Sequence, residues 1–256
     1  MIPLSPQEWK KRTEVNKTAK ISFFLIEDYN ILISEVNKFL YICDRFFNEN
    51  RSNMLFNPPS ILKKIYPSAI WSFPKEEDSL FLTFDDGPCP EVTPWVLDTL
   101  DRFNAKATFF CIGKNVELYP DLFKEILRRG HSVGNHTYSH IAGWRKPLHD
   151  YIQDVDIAND LINSNLYRPP YAKITVSQAN MLSLRYKIVM WNILSRDYNR
   201  KLSRRKCLKN VVPHLHPGAI VVFHDSKKAA KNLWYALPKT LEAISAMNLK
   251  CKAITL

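Results

Sequence analysis

Three short apolar runs, at 80–84, 107–112 and 219–223, most constrain what this chain can fold into. Leu80-Phe-Leu-Thr-Phe84 and Ala219-Ile-Val-Val-Phe223 show no apolar-polar alternation, so each strand needs cover on both faces. Segments with helical spacing lie at 91–103, 119–129, 148–164, 177–184, 204–215 and 232–246. Shorter strands are predicted at 131–135, 187–191 and 252–255. Strand and helix in alternation give a parallel sheet with helices packed against it. In such folds functional groups collect at the C-terminal ends of strands.

Asp85 and Asp86 follow the first run directly, and Gly87-Pro88 ends it. Side chains alternate along a strand, so adjacent aspartates cannot both continue the pleat in one direction. His136 and His140 follow the 131–135 strand and share a face if that stretch makes one helical turn. Two imidazoles and a carboxylate leave a coordination position open, which is the pattern of a catalytic metal site. Alone, a strand-end acid pair is ordinarily a turn or cap, and histidines at this spacing are ordinarily a surface feature. Their occurrence together favours the metal. Arg168, ahead of Pro169-Pro170, reads by itself as a loop arginine, and His224 as a satisfied strand-end histidine.

Five segments are similar, in order and spacing, to the motifs of the NodB-homology polysaccharide deacetylases (carbohydrate esterase family 4). They are Thr83-Phe-Asp-Asp-Gly-Pro88, His136-Thr-Tyr-Ser-His140, Arg168-Pro-Pro-Tyr171, the stretch 191–198, and Val222-Phe-His-Asp225. The resemblance covers roughly 80–256 and implies an α/β fold, a distorted parallel (β/α) barrel. It also implies removal of N- or O-linked acetyl groups from a sugar polymer or oligomer with a divalent metal. Asp86, His136 and His140 are the implied ligands, Asp85 the general base and Arg168 its cationic partner. Tyr171 is implied to offer its backbone N–H to the oxyanion, and His224 to be the general acid. The donor types favour Zn2+, with Co2+, Mn2+ or Ni2+ also suited to them. The fourth motif departs from the family's paired aspartates, because Leu194 occupies the first position. That leaves Asp197 as the candidate partner of His224. N-acetylglucosamine-containing glycans, such as peptidoglycan or chitooligosaccharide, are the leading substrate class. An O-acetyl esterase and a non-catalytic glycan-binding module are the alternatives. Tyr138, Trp144, Trp191 and Tyr198 are candidates for a sugar-binding groove, with core packing as the competing role for Trp191.

Residues 1–53 lack these motifs, and amphipathic spacing over 21–50 predicts a helical extension ahead of a catalytic domain at 54–256. The first twenty residues do not read as a signal peptide, and charges interrupt every apolar stretch long enough to span a membrane. A cytoplasmic protein is therefore expected. Five cysteines without Cys-x-x-Cys spacing argue for reduced thiols; Cys89, just past the Asp-Asp-Gly-Pro turn, reads as a packing residue near the metal. The formal charge is +11, and residues 196–231 hold ten Lys or Arg against two Asp. A solvated basic face is the ordinary reading, and a groove for an anionic glycan the functional one. Charge without a recognisable binding motif gives no reason to expect nucleic acid. Nothing in the sequence bears on oligomeric state.

Overall fold

The computed structural model describes residues 60–256. A short helix α1 (Ser60–Ile65) leads into β1 (Ser79–Asp85), α2 (Thr93–Arg102), β2 (Ala107–Cys111), α3 (Gly113–Leu118) and α4 (Pro120–Arg128). Then come β3 (Ser132–Asn135), α5 (Leu148–Ile162), β4 (Leu166–Tyr167), α6 (Val176–Ser183), β5 (Lys187–Ile188) and β6 (Ile193–Leu194). The chain ends with α7 (Arg204–Lys209), β7 (Ile220–His224), α8 (Ala230–Ala246) and β8 (Lys250–Cys251). The strands run in the order β5-β4-β3-β2-β1-β7-β6, and β8 pairs with the start of β1. Every pairing is parallel, as strand–helix alternation requires. The sheet curls into a half-barrel whose two ends, β5 and β6, lie next to each other in sequence.

β1 shows why the fold builds a site. Its seven residues are all buried, and their two rows face different cores. Leu80, Leu82 and Phe84 join the outer core beneath the helices, where Phe84 stacks on Phe109 and Phe223 at ring separations of 5.0 and 6.2 Å. Phe81 joins an inner cluster with Phe110, Leu166, Val189 and Ile220. Thr83 and Asp85 continue that inner row, so alternation alone carries the Asp85 carboxylate into the barrel. β7 repeats the device: Ile220 is in the inner cluster, and His224 lies four residues on.

Local chemistry explains several boundaries. Thr175 caps α6 by accepting from the Gln178 N–H, and the Gln178 side chain accepts from the Thr175 N–H. The same amide donates to the carbonyls of Gly143 and Lys146, tying α6 to the loop after the histidine pair. Thr175→Ala is expected to cost about 1 kcal/mol, read as a lower denaturation midpoint, with the chemistry of the site intact. Ser203 caps α7, the Lys206 N–H donating to its hydroxyl.

Four expectations need correction. The helix at 204–215 stops at Lys209 and resumes as a 3-10 turn, Val212–His214, because Pro213 cannot donate to a continuing helix. The helix at 119–129 is preceded by α3, and Pro120 divides the two. The strand at 187–191 is two residues long, with Val189 bridging to Ile70. The final strand is Lys250–Cys251, earlier than 252–255. The helices expected within 21–50 lie outside the described residues. Among the described residues, no helix is long and apolar enough to cross a membrane.

Candidate active site

Asp85, at the end of β1, is buried against Arg168, which follows β4. The Arg168 guanidinium donates to Asp85 Oδ1 and to Thr83 Oγ1, both at 2.7 Å. It also donates to the carbonyls of Val189 and Met190 at 2.9 and 3.0 Å. Thr83 Oγ1 in turn donates to the Val221 carbonyl at 2.9 Å, and the guanidinium carbon lies 4.0 Å from the centre of the Phe110 ring. Arg168 is wholly buried, so its charge is balanced by one carboxylate and dispersed over three further acceptors. The Asp85 carboxylate is thereby held in one direction.

Asp86 leaves the pleat. Its backbone sits at φ 81, a region that non-glycine residues seldom occupy and that costs on the order of 1–3 kcal/mol. The turn brings its carboxylate to 3.1 Å from His140 Nε2 and 3.9 Å from His136 Nε2. Ligand atoms of these three side chains all lie within 4.8 Å of one another, the one such group among the described residues. The histidine stretch is an irregular bend and not the helical turn expected, with Thr137 at φ 63 and His140 at φ 54. Asp154, on α5, holds the bend by accepting from the N–H groups of Tyr138 and Ser139. α3 holds it from the other side: the Gly113 and Lys114 N–H groups donate to the carbonyls of Thr137 and Tyr138. Asn115, also on α3, donates to the Asp86 carbonyl at 2.8 Å. One short helix therefore braces both donor segments.

The donor chemistry fits a divalent cation. His136 Nδ1 donates to the Arg168 carbonyl at 2.7 Å, which fixes the tautomer and leaves Nε2 as a lone-pair donor. Burial pushes the His136 pKa down to about 4, so the ring is neutral at ordinary pH. Burial alone would raise the Asp86 pKa. The hydrogen bond from His140 and the nearby imidazoles more than reverse this, holding it well below the usual carboxylate range. His140 Nδ1 lies 3.1 Å from the Tyr171 hydroxyl, and Tyr171 sits at φ 60 in the 3-10 turn Pro170–Ala172.

His224 closes the opposite side. Its Nδ1 lies 2.7 Å from Asp197 Oδ1, and its backbone N–H donates to Asp197 Oδ2 at 2.8 Å. These two contacts pair the fully buried Asp197 with His224, while Leu194 is a buried residue of β6. Burial is the largest influence on His224 and opposes its charge. The carboxylates of Asp197, Asp86 and Asp85 overcome it and push the pKa up to about 9. Tyr198 meets the His224 ring edge-on at 4.9 Å.

Of the other aromatic candidates, Tyr138 donates to Glu117, Trp144 to the Ile174 carbonyl, and Trp191 packs against the core. Cys89 is a buried core residue whose thiol donates to Glu91. Asp225 closes the Val222-Phe-His-Asp225 motif and has no role among those the resemblance implies. It is fully buried, accepts from Thr93 at 2.6 Å, and its own N–H donates to the Asp85 carbonyl. Burial pushes its pKa up to about 8. A Cβ on Gly87 would lie 2.0 Å from its carboxylate, so glycine is what lets the turn pass there. Asp154, Asn115 and Thr93 carry no signal in the sequence, where each resembles an ordinary surface or helix-start residue.

The polysaccharide deacetylase family profile matches residues 73–187. A peptidoglycan-N-acetylglucosamine deacetylase of Bacillus cereus is 33% identical over 163 residues, which is 61% of this chain and 59% of that protein. A second one from the same organism is 32% identical over 190 residues, 67% of this chain and 84% of that protein. Peptidoglycan-N-acetylglucosamine deacetylase PgdA of Listeria monocytogenes is 34% identical over 66% of this chain, but only 38% of its own length is spanned. This chain thus spans about two fifths to three fifths of two of these relatives. The crystal structure of the Bc1960 peptidoglycan N-acetylglucosamine deacetylase superposes with a TM-score of 0.68 at 31% identity, over 77% of this chain and 94% of that one.

Proposed function

The chain belongs to the polysaccharide deacetylase family, and on that premise we propose that it is a metal-dependent hydrolase releasing acetate from an N-acetylated glycan. The observation that carries this reading is the Asp86–His136–His140 cluster together with two preset partners. One is a carboxylate held by Arg168, and the other an imidazole held by Asp197.

Asp86, His136 and His140 would hold a divalent cation, with Zn2+ our first choice, and it would supply Lewis-acid polarisation of the acetyl carbonyl and a more acidic water. Asp85 takes the proton of the attacking water, aimed by Arg168. The backbone N–H of Tyr171 helps to hold the developing oxyanion. His224, protonated through its pairing with Asp197, delivers a proton to the departing sugar nitrogen. An amide needs that proton more than an ester does, so a preset His224 favours N-acetyl over O-acetyl substrates. We assign the catalytic domain to residues 54–256, with 1–53 as an accessory extension. The relatives' names favour peptidoglycan as the polymer, and with it a site of action outside the cytoplasm rather than the cytoplasmic one expected from the first twenty residues.

The test is acetate release from chitooligosaccharides and peptidoglycan fragments by metal-stripped and metal-restored protein. Release that requires metal is expected; full metal binding with no acetate from any substrate would end the proposal. The pH profile gives a second reading. A general acid must be protonated, so activity is expected to hold below the His224 pKa and fall as pH rises through it, no higher than about 9. A bound cation opposes the charged imidazole and lowers that limb. Asp197→Asn removes the nearest carboxylate, so the alkaline limb of kcat should move at least one pH unit lower. An unmoved limb would mean that the ionisation belongs elsewhere.

A further inference from the structure

We propose that the glycan carries an acidic substituent, and that Lys228, seated over Tyr198 beside His224, is the residue that recognises it. This deepens the deacetylase reading and rests on it. Three observations converge. The first is position. The Lys228 ammonium lies 5.6 Å from the centre of the Tyr198 ring, whose edge meets His224 at 4.9 Å. One aromatic ring thus separates a cation from the group that faces the sugar nitrogen. Lys228 is exposed and Tyr198 half-buried, so both present a face to solvent.

The second observation is the surrounding charge. The ten cations of residues 196–231 are accompanied by only two carboxylates, Asp197 and Asp225, and both are fully buried. No solvent-facing carboxylate of this stretch therefore offsets its cations. The stretch begins after β6 with Arg200 and Lys201, crosses α7 at Arg204 and Arg205, and returns to the catalytic end at Lys227 and Lys228. α7 packs against α8, and Arg204 lies over Tyr235 of α8 at 5.3 Å, so these charges ride on ordered elements.

The third is the contrast between neighbours. Lys227 is engaged by Glu91 at 2.5 Å, which ties the loop after β7 to the loop after β1. Among the described residues, Lys228 meets an aromatic face and no carboxylate, and such a face positions an ammonium without neutralising it. Cations in the first turn of α7 also oppose its macrodipole, so helix stability does not account for them. A carboxylate or phosphate on the sugar at the His224 side, or on its neighbour, is the chemistry that fits.

The test uses the metal-loaded full chain and three matched oligosaccharides. They are a neutral N-acetylglucosamine oligomer, a peptidoglycan glycan oligomer whose lactyl groups bear carboxylates, and that same oligomer with its carboxylates methyl-esterified. The acid-bearing oligomer should have the lowest KM, and esterification or added salt should raise it. Lys228→Gln should raise KM for the acid-bearing oligomer about fivefold or more, with kcat and the neutral and esterified substrates unchanged. Lys228→Arg should retain the preference. Equal KM values for all three oligomers, or equal losses in Lys228→Gln, would overturn the inference while leaving the deacetylase reading intact. Equal inhibition by an unrelated oligonucleotide would likewise reduce the strip to general polyanion binding and overturn it. If no substrate releases acetate, the deacetylase reading fails. Calorimetric binding of the same three oligomers then still decides whether Lys228 selects the acid.

Discussion

Asp85→Asn is expected to lower acetate release by about 10²–10⁴-fold while the protein still binds its metal. Asparagine keeps an oxygen where Arg168 donates at 2.7 Å but cannot accept the water's proton. Asp85 is outside the Asp86–His136–His140 cluster, so metal stoichiometry should match the parent. The variant also loses the charge that balances a fully buried guanidinium, and a modest drop in melting temperature should accompany the lost activity. Full activity in Asp85→Asn would remove it as the base. Lost metal binding would make it a ligand instead.

Arg168→Leu should do more damage, and of a different kind. The substitution strands the Asp85 carboxylate in the barrel and leaves Thr83 and two carbonyls without their donor. Breaking a buried ion pair from one side typically costs about 3–5 kcal/mol. Against a total stability of roughly 5–15 kcal/mol, that is enough to threaten folding. A melting temperature lower by roughly 10 °C or more is expected for a domain of this size, with no activity left. Arg168→Lys provides one charge where the native group reaches four acceptors, so it should recover little. An Arg168→Leu protein that melts like the parent would show that these buried bonds add little to the fold.

The motifs legible in the sequence were those whose chemistry is local. Asp85 and Asp86 announce themselves because two acids close an apolar strand, and His224 because it ends another. The parallel sheet was legible too, in the alternation of strand and helix patterns. What the sequence hid is what depends on distant contacts. α3 is six residues long, too short for a periodic pattern, yet it supports both donor segments. The His136–His140 bend carries no glycine to advertise its left-handed residues, and Asp154, which stabilises it, looks like any helix-surface acid. The stop in α7 is written in Pro213, which the apolar spacing across 204–215 masks. The resemblance implies Asp197 as the acidic partner of His224, and the contact across 27 residues makes that pairing geometric.

One peptide bond joins the proposed base to the proposed metal ligand. Asp85 ends the strand, Asp86 turns out of it at φ 81, and their Cα atoms are about 3.8 Å apart by covalent geometry. Their spacing cannot drift when loops lengthen or the core repacks, because no packing determines it. Under the proposed mechanism, the rims can therefore vary while the Asp85–Asp86 pair must stay. New substrates can be reached by altering the rims after β6 and β7, where Tyr198, Lys227 and Lys228 sit, without retuning the reaction. A lineage that changes Asp85, in contrast, has no neighbouring position from which to regain a base. It would persist only as a binding protein on an otherwise intact barrel.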